Sequence, residues 1–139
     1  MTLTPLETVR SFYNSLEPGR RQVLMELLDP NVRVEVQEGY PGTRRSYVGL
    51  KAYLEDFLYA IYGSFEVSLI PEEFLESGAH VVTVGRQKAR AVLTGSSVDV
   101  PFVHIWTVQQ GRLVRARMFT DTAILRDALA GRRAPATSV

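Results

Sequence analysis

The sequence predicts an α+β domain in which a curved antiparallel sheet wraps around N-terminal helices and leaves a cone-shaped hollow. Three observations predict it. Two helical patterns come first, and a third follows one short strand. Everything from residue 65 to residue 120 then reads as strand, cut by Ser77-Gly78, Gly95-Ser96 and Gln110-Gly111. Helix and strand are thus segregated, which points away from an alternating βαβ fold. Finally, 139 residues with 45% apolar composition suit one domain with one core.

Thr4-Pro5-Leu6-Glu7 opens the first helix: Thr4 as N-cap, Pro5 at the first helical position, Glu7 completing a capping box. Leu6, Val9, Phe12, Tyr13 and Leu16 form its apolar stripe, and Pro18-Gly19 ends it. A second helix is expected from about Arg20 to Leu28, stopped by Asp29-Pro30-Asn31. Val32 to Gln37 alternates as a strand, Gly39 to Arg45 is a loop, and Tyr47-Val48 is a short strand. A third helix runs from about Gly49 to Tyr62, with Leu50, Tyr53, Leu54, Phe57 and Ile61 on one side and Gly63 as its C-cap. The meander follows as Phe65–Glu76, His80–Leu93, Val98–Gln109 and Arg112–Thr120. Asp121 reads as the N-cap of a last helix through Leu129. The domain is placed at residues 1–130 and a flexible tail at 131–139.

Composition removes several function classes. A net charge of +1 gives no pull toward nucleic acid or an anionic membrane. There is no cysteine, which excludes disulfides, thiolate zinc sites and thiol catalysis within this chain. Two histidines, His80 and His104, cannot alone make a typical zinc or iron site, so no metal or other cofactor is expected. No apolar run approaches the ~20 residues of a spanning helix, and Met1 to Thr4 lacks signal-peptide character; a cytoplasmic protein is expected.

The stretch Val98-Asp99-Val100-Pro101-Phe102-Val103-His104-Ile105-Trp106-Thr107-Val108-Gln109-Gln110-Gly111-Arg112, with its His-x-Trp strand and glycine turn, resembles the SnoaL-like family of the nuclear-transport-factor-2-like superfamily. Arg117-Met118-Phe119-Thr120-Asp121, Val9-Arg10-Ser11-Phe12-Tyr13 and Val48-Gly49-Leu50 are similar to it as well, so the likeness spans roughly residues 5 to 129. It implies the cone fold, a cavity-facing residue at His104 and a homodimer through the outer face of the sheet. It says little of function, because this superfold hosts isomerases, cyclases, hydrolases and binding modules.

The hairpin at Gly111 decides what faces the hollow. A three-residue loop, Gln109-Gln110-Gly111, sets His104 opposite Ala116 and Phe102 opposite Met118. One face then carries Phe102, His104, Trp106, Val114, Ala116 and Met118, and the other Val103, Ile105, Thr107, Arg115, Arg117 and Phe119. A two-residue loop would place Arg117 opposite His104. The first register is preferred because it separates an apolar set from an arginine-bearing set. With Tyr13 across from His104, and Val36 and Phe57 joining the wall, these side chains make the expected ligand pocket.

The resemblance also implies what is missing. SnoaL-like cyclases place a carboxylate seven residues after the turn glycine, and limonene epoxide hydrolase needs an aspartate there. That position is Met118, the cyclase histidine two residues earlier is Ala116, and Gly85-Arg86-Gln87-Lys88 has no carboxylate for the hydrolase's second acid. Methionine cannot hold a proton, so both mechanisms lose an essential group. A ketosteroid-isomerase-like base would come from the end of the first strand, where Glu38 is the best candidate. His104 has an intrinsic pKa suited to proton transfer. The plainer reading, which is favoured over catalysis, is a core histidine bonded to a backbone carbonyl or a tyrosine hydroxyl. Arg86, Lys88 and Arg90 share one strand face, which reads as solvated more readily than as an anion site.

Three functions stay open: binding a small, mostly apolar molecule; an isomerase-, cyclase- or hydrolase-type enzyme using His104 with Glu38 or a tyrosine; or a dimeric interaction module with a filled core.

Overall fold

The computed structural model describes residues 2–16 and 19–132. The expected tail falls outside them from residue 133 onward, as does Pro18. Helix α1, Pro5–Asn14, starts as expected: the Thr4 hydroxyl accepts from the Glu7 amide at 3.1 Å, and the Glu7 carboxylate accepts from the Thr4 amide at 2.9 Å. Its buried face carries Thr8, Val9, Phe12 and Tyr13. Helix α2 spans Arg21–Leu27, strand β1 Leu28–Val36 and strand β2 Ser46–Val48. A π-helical stretch, Ala52–Phe57, leads into α3, Leu58–Ser64. Then follow β3 (Phe65–Ser77), β4 (His80–Ala91), β5 (Ser97–Gln109), β6 (Arg112–Thr120) and α4 (Thr122–Leu129). Asp121 caps α4, accepting from the Ile124 amide at 3.2 Å.

The six strands form one sheet in the order β2-β1-β6-β5-β4-β3. β3 to β6 are the expected antiparallel meander. β1 differs, because it lies parallel to β6, with Val34 beside Ala116 and Val36 beside Met118. The sheet is therefore mixed rather than wholly antiparallel. A parallel neighbour needs a long crossover, and here most of the chain supplies it. No local sequence pattern could report that pairing.

Two other expectations are corrected. Gly63 does not cap the third helix; it lies in the last turn, and Phe65 takes the C-cap. Ala52–Phe57 of that helix is π-helical, which apolar periodicity over six residues is too short to separate from α-helical i→i+4 bonding. The hairpin register also differs. Gln110 and Gly111 both have positive φ (52° and 71°), which makes a two-residue turn with Gln109 opposite Arg112. The ladder then shifts by one residue, so that Val108 faces Leu113 but Thr107 faces Arg115. This bulge gives β6 an extra residue, Val114. Beyond it His104 faces Met118, not Ala116, and Phe102 faces Thr120, not Met118. The sorting of faces survives the new register. Phe102, His104, Trp106, Ala116 and Met118 are all buried, with Leu113 in the inward place expected for Val114.

Gly85 bends the sheet. It lies beside the Pro71–Glu73 irregularity of β3 and opposite Phe102 of β5. A Cβ at this position would come within 2.2 Å of the Ile70 carbonyl oxygen and 2.7 Å of the Phe102 ring. Only glycine lets the two backbones and the aromatic ring meet there. The curved sheet closes around α1 and the third helix over a core that includes Val9, Phe12, Tyr53, Val34 and Trp106.

Candidate functional site

α1 and the inner face of β5 together place one aromatic cluster at the closed end of the cone. Successive inward positions of β5 supply Phe102, His104 and Trp106, and the α1 stripe supplies Phe12 and Tyr13. The Trp106 indole Nε1 donates to the Tyr13 hydroxyl at 3.0 Å. The same hydroxyl lies 2.6 Å from His104 Nδ1. The Phe102 ring packs 4.3 Å from the imidazole, centroid to centroid. Burial pushes the Tyr13 phenol up, and it drives His104 down to about 3, so the imidazole is neutral at neutral pH. Thr83, the cross-strand neighbour of His104, sits close enough to Tyr13 to oppose the phenol's shift in part. Its hydroxyl nevertheless makes no hydrogen bond of acceptable geometry and is sealed from solvent.

Above this floor is a narrow cavity of about 50 Å³. The sheet contributes Val67, Leu69, Gln87, His104, Met118, Phe119 and Thr120 to its wall. Phe12 and Leu16 come from α1 and its end, and Tyr40 from the loop after β1. Tyr53, Phe57, Leu58, Ile61 and Tyr62 form the roof. No Asp, Glu, Lys or Arg is among the described lining residues. The Gln87 amide donates to the Tyr40 hydroxyl at 2.9 Å. Among the described residues, Thr83 Oγ1 is the only sealed side-chain polar atom without a partner. Among the described residues neither His104 Nε2 nor the Tyr53 hydroxyl has a hydrogen-bond partner, and both residues line this space.

The expected pocket residues divide accordingly. Phe57, His104 and Met118 line the cavity, with Met118 directly across the ladder from His104. Tyr13, Phe102, Trp106, Ala116 and Val36 lie behind or beside it in the core. Glu38 is elsewhere. The β1 strand ends at Val36, and Gln37 is held by the Met118 carbonyl and the Thr120 amide. The chain then turns at Gly39, and Glu38 stands exposed in an outer groove with Arg33, Arg45 and Arg117. Gln87 and Tyr40 were not anticipated. Gln87 was nonetheless legible: with Arg86, Lys88 and Arg90 facing out, strand parity turns Gln87 in. Tyr40 sits in a loop, where no periodicity exists.

The model of the SnoaL-like domain matches residues 9–116. The chain belongs to the SnoaL-like domain family. Solved structures agree in fold. An NTF2-like protein of unknown function from Burkholderia pseudomallei K96243 is 28% identical, with TM-score 0.81 over 90% of this chain and 96% of its own. TerC, co-crystallised with polyporic acid, is 24% identical with TM-score 0.80, covering 91% and 99% of the two chains. A putative SnoaL-like polyketide cyclase from Jannaschia sp. CCS1 is 22% identical with TM-score 0.78, covering 93% of each. No curated protein matches the chain significantly. None of the helices of this SnoaL-like domain is long and apolar enough to cross a membrane, among the described residues.

Proposed function

We propose that this SnoaL-like domain binds a small, mostly apolar molecule in the cone cavity, with His104 as its main polar contact. The observation that carries the reading is the composition of the wall. It is mainly aromatic and aliphatic, no carboxylate is among its described residues, and His104 lines it with Nε2 free of any described hydrogen-bond partner. Small-ligand chemistry among the structural neighbours, TerC with polyporic acid and the putative cyclases, supports the same reading.

An acid/base enzyme is the second reading, and His104 itself favours it. The missing partners weigh against it: Met118 holds the acid position, and Glu38 faces the outer groove. An imidazole driven down to about 3 is also a feeble base.

The cavity is small beside the about 150 Å³ that accommodates a benzene ring in a designed apolar void. A ring-sized ligand must therefore displace part of the roof, and the π-helical Ala52–Phe57 is the segment that lies over it. Differential scanning fluorimetry with small hydrophobic carbonyl compounds and epoxides tests the proposal. A ligand at one hundred times its dissociation constant stabilises the fold by ~2.7 kcal/mol. No shift with any compound removes the reading, and a shift that survives unchanged in His104→Ala removes His104 as the polar contact.

We further propose a homodimer through the outer face of β5 and β6. There Val103, Ile105 and Thr107 are half-buried in the single chain, and the Arg117 guanidinium lies 5.9 Å from the exposed Phe119 ring. An apolar strand face with interspersed arginine and no second layer is suited to a copy of itself. Light scattering should give twice the monomer mass, and Arg117→Glu should lower it.

A further inference from the structure

The hydrogen bonds beneath the cavity have a direction, and that direction specifies what His104 presents to a ligand. An indole can only donate, so Trp106 occupies one lone pair of the Tyr13 hydroxyl. The hydroxyl retains one proton and one lone pair, and His104 Nδ1 is 2.6 Å away. Were Nδ1 protonated, it would take that lone pair, and the Tyr13 proton would need another acceptor. Thr83 Oγ1 lies near Tyr13 but makes no hydrogen bond to it. The hydroxyl proton therefore goes to Nδ1, and the imidazole proton sits on Nε2, the ring nitrogen turned away from Tyr13.

We infer that the cavity reads its ligand with the Nε2–H of His104, held in that tautomer by Tyr13 and Trp106, and that the ligand offers a neutral acceptor oxygen such as a ketone or quinone carbonyl. This rests on the cavity being a binding site, as proposed above. Two observations select the class. Tyr53 also lines this space, and among the described residues its hydroxyl has no hydrogen-bond partner, so it is a second donor for an acceptor atom. And no Lys or Arg is among the described lining residues, so a carboxylate would lose its hydration without a countercharge. A hydrocarbon, at the other extreme, would leave both donors unmet. Tyr13 is in this scheme a positioning residue. It never touches the ligand, and it acts by excluding the other tautomer.

The tautomer is measurable without a ligand. In the full chain labelled with ¹⁵N-histidine, long-range proton–nitrogen correlations distinguish a pyrrole-type from a pyridine-type ring nitrogen. His80→Gln, far from the cavity, assigns the two histidines. The expected result at neutral pH is a pyrrole-type Nε2 and a pyridine-type Nδ1 for His104, unchanged in Thr83→Val and mixed in Tyr13→Phe. A proton on Nδ1 in the parent, or a tautomer that switches in Thr83→Val, overturns the inference. If Tyr13→Phe does not fold, the parent and Thr83→Val decide.

The ligand class is tested with acetophenone, ethylbenzene and benzoate, titrated against the same protein. Acetophenone should bind about five- to tenfold more tightly than ethylbenzene, the usual return on one neutral hydrogen bond, and benzoate more weakly than either. Equal binding of acetophenone and ethylbenzene overturns the carbonyl class and leaves the binding site standing. Tightest binding by benzoate overturns the neutral acceptor. Failure of all three to bind removes the site, and the class with it.

Discussion

The floor of the cavity and its roof are both aromatic, yet they are held in different ways. On the floor, Trp106 and Phe102 are almost wholly buried, His104 is 5% exposed, and each polar contact has a short hydrogen bond behind it. On the roof, Tyr53, Phe57 and Ile61 are buried but Tyr62 is 46% exposed, the backbone is partly π-helical, and nearby Arg44 and Asp56 form an exposed ion pair of 3.1 Å. Such pairs contribute little. The floor lies on the central strands of a six-stranded sheet, whereas the roof is one helix joined to β3. The lesson is that one cavity separates two tasks. Under the proposed function, the hydrogen-bonded floor fixes the chemistry offered to a ligand and the more exposed roof governs its entry.

The largest expected effect comes from breaking the floor's support. Gly85→Ala drives a methyl group against the Ile70 carbonyl and the Phe102 ring that packs on His104. We expect a loss of about 3 kcal/mol in urea unfolding, the upper range for overpacking against backbone. A loss under ~1 kcal/mol would show that the sheet can flatten there and that the floor is not rigid.

Acid titration comes next. The folded His104 is driven down to about 3 by burial, while an unfolded histidine titrates near its ordinary 6.5. Below pH ~6.5 the unfolded chain therefore binds a proton that the folded chain refuses, and stability falls as pH drops toward the folded value. The slope approaches ~1.4 kcal/mol per pH unit, or about 2 kcal/mol between pH 6.5 and 4.5. His104→Phe should flatten this part of the stability–pH curve. An unchanged slope would mean that His104 gains water or a proton in the folded state, and the floor would then be no drier than the roof.

The smallest effect is expected at the roof. Tyr62→Ala removes a half-exposed ring and should cost no more than about 1 kcal/mol. It should still widen the mouth of the cavity and speed ligand association in stopped-flow fluorescence. Amide exchange should be faster over residues 52–64 than over β5 in the parent protein. Equal protection of the two regions would erase the contrast between floor and roof.

Parity made much of the site legible from the sequence. Phe102, His104 and Trp106 alternate inward, Met118 occupies the family's acid position, and both helix caps at Thr4 and Asp121 form as their side chains require. The same alternation hides Gln87 only because its neighbours Arg86 and Lys88 draw attention to the outer face. The turn was harder. Gln110 adopts a positive φ that its residue type does not announce, and the bulge at Val114 compensates the shorter loop. Two departures from the expected register cancelled in their effect on which face each side chain takes, because side-chain direction depends only on odd or even position.

What the sequence alone determined is therefore local: which segments are helix or strand, how two helices begin, which residues of each strand share a face, and that no acid stands at residue 118. Each follows from bonds and spacings within a few residues. What only the tertiary structure decided is which faces meet. Tyr13 and His104 are 91 positions apart, and Tyr13 and Trp106 are 93 apart. The β1–β6 pairing, the outward turn at Glu38 and the π-helical roof likewise depend on packing between distant segments. Periodicity gives a residue's direction from its own backbone but not the partner it meets. That partner is set by how the whole sheet curves, and here it brought a tyrosine of the first helix within 2.6 Å of the histidine on β5.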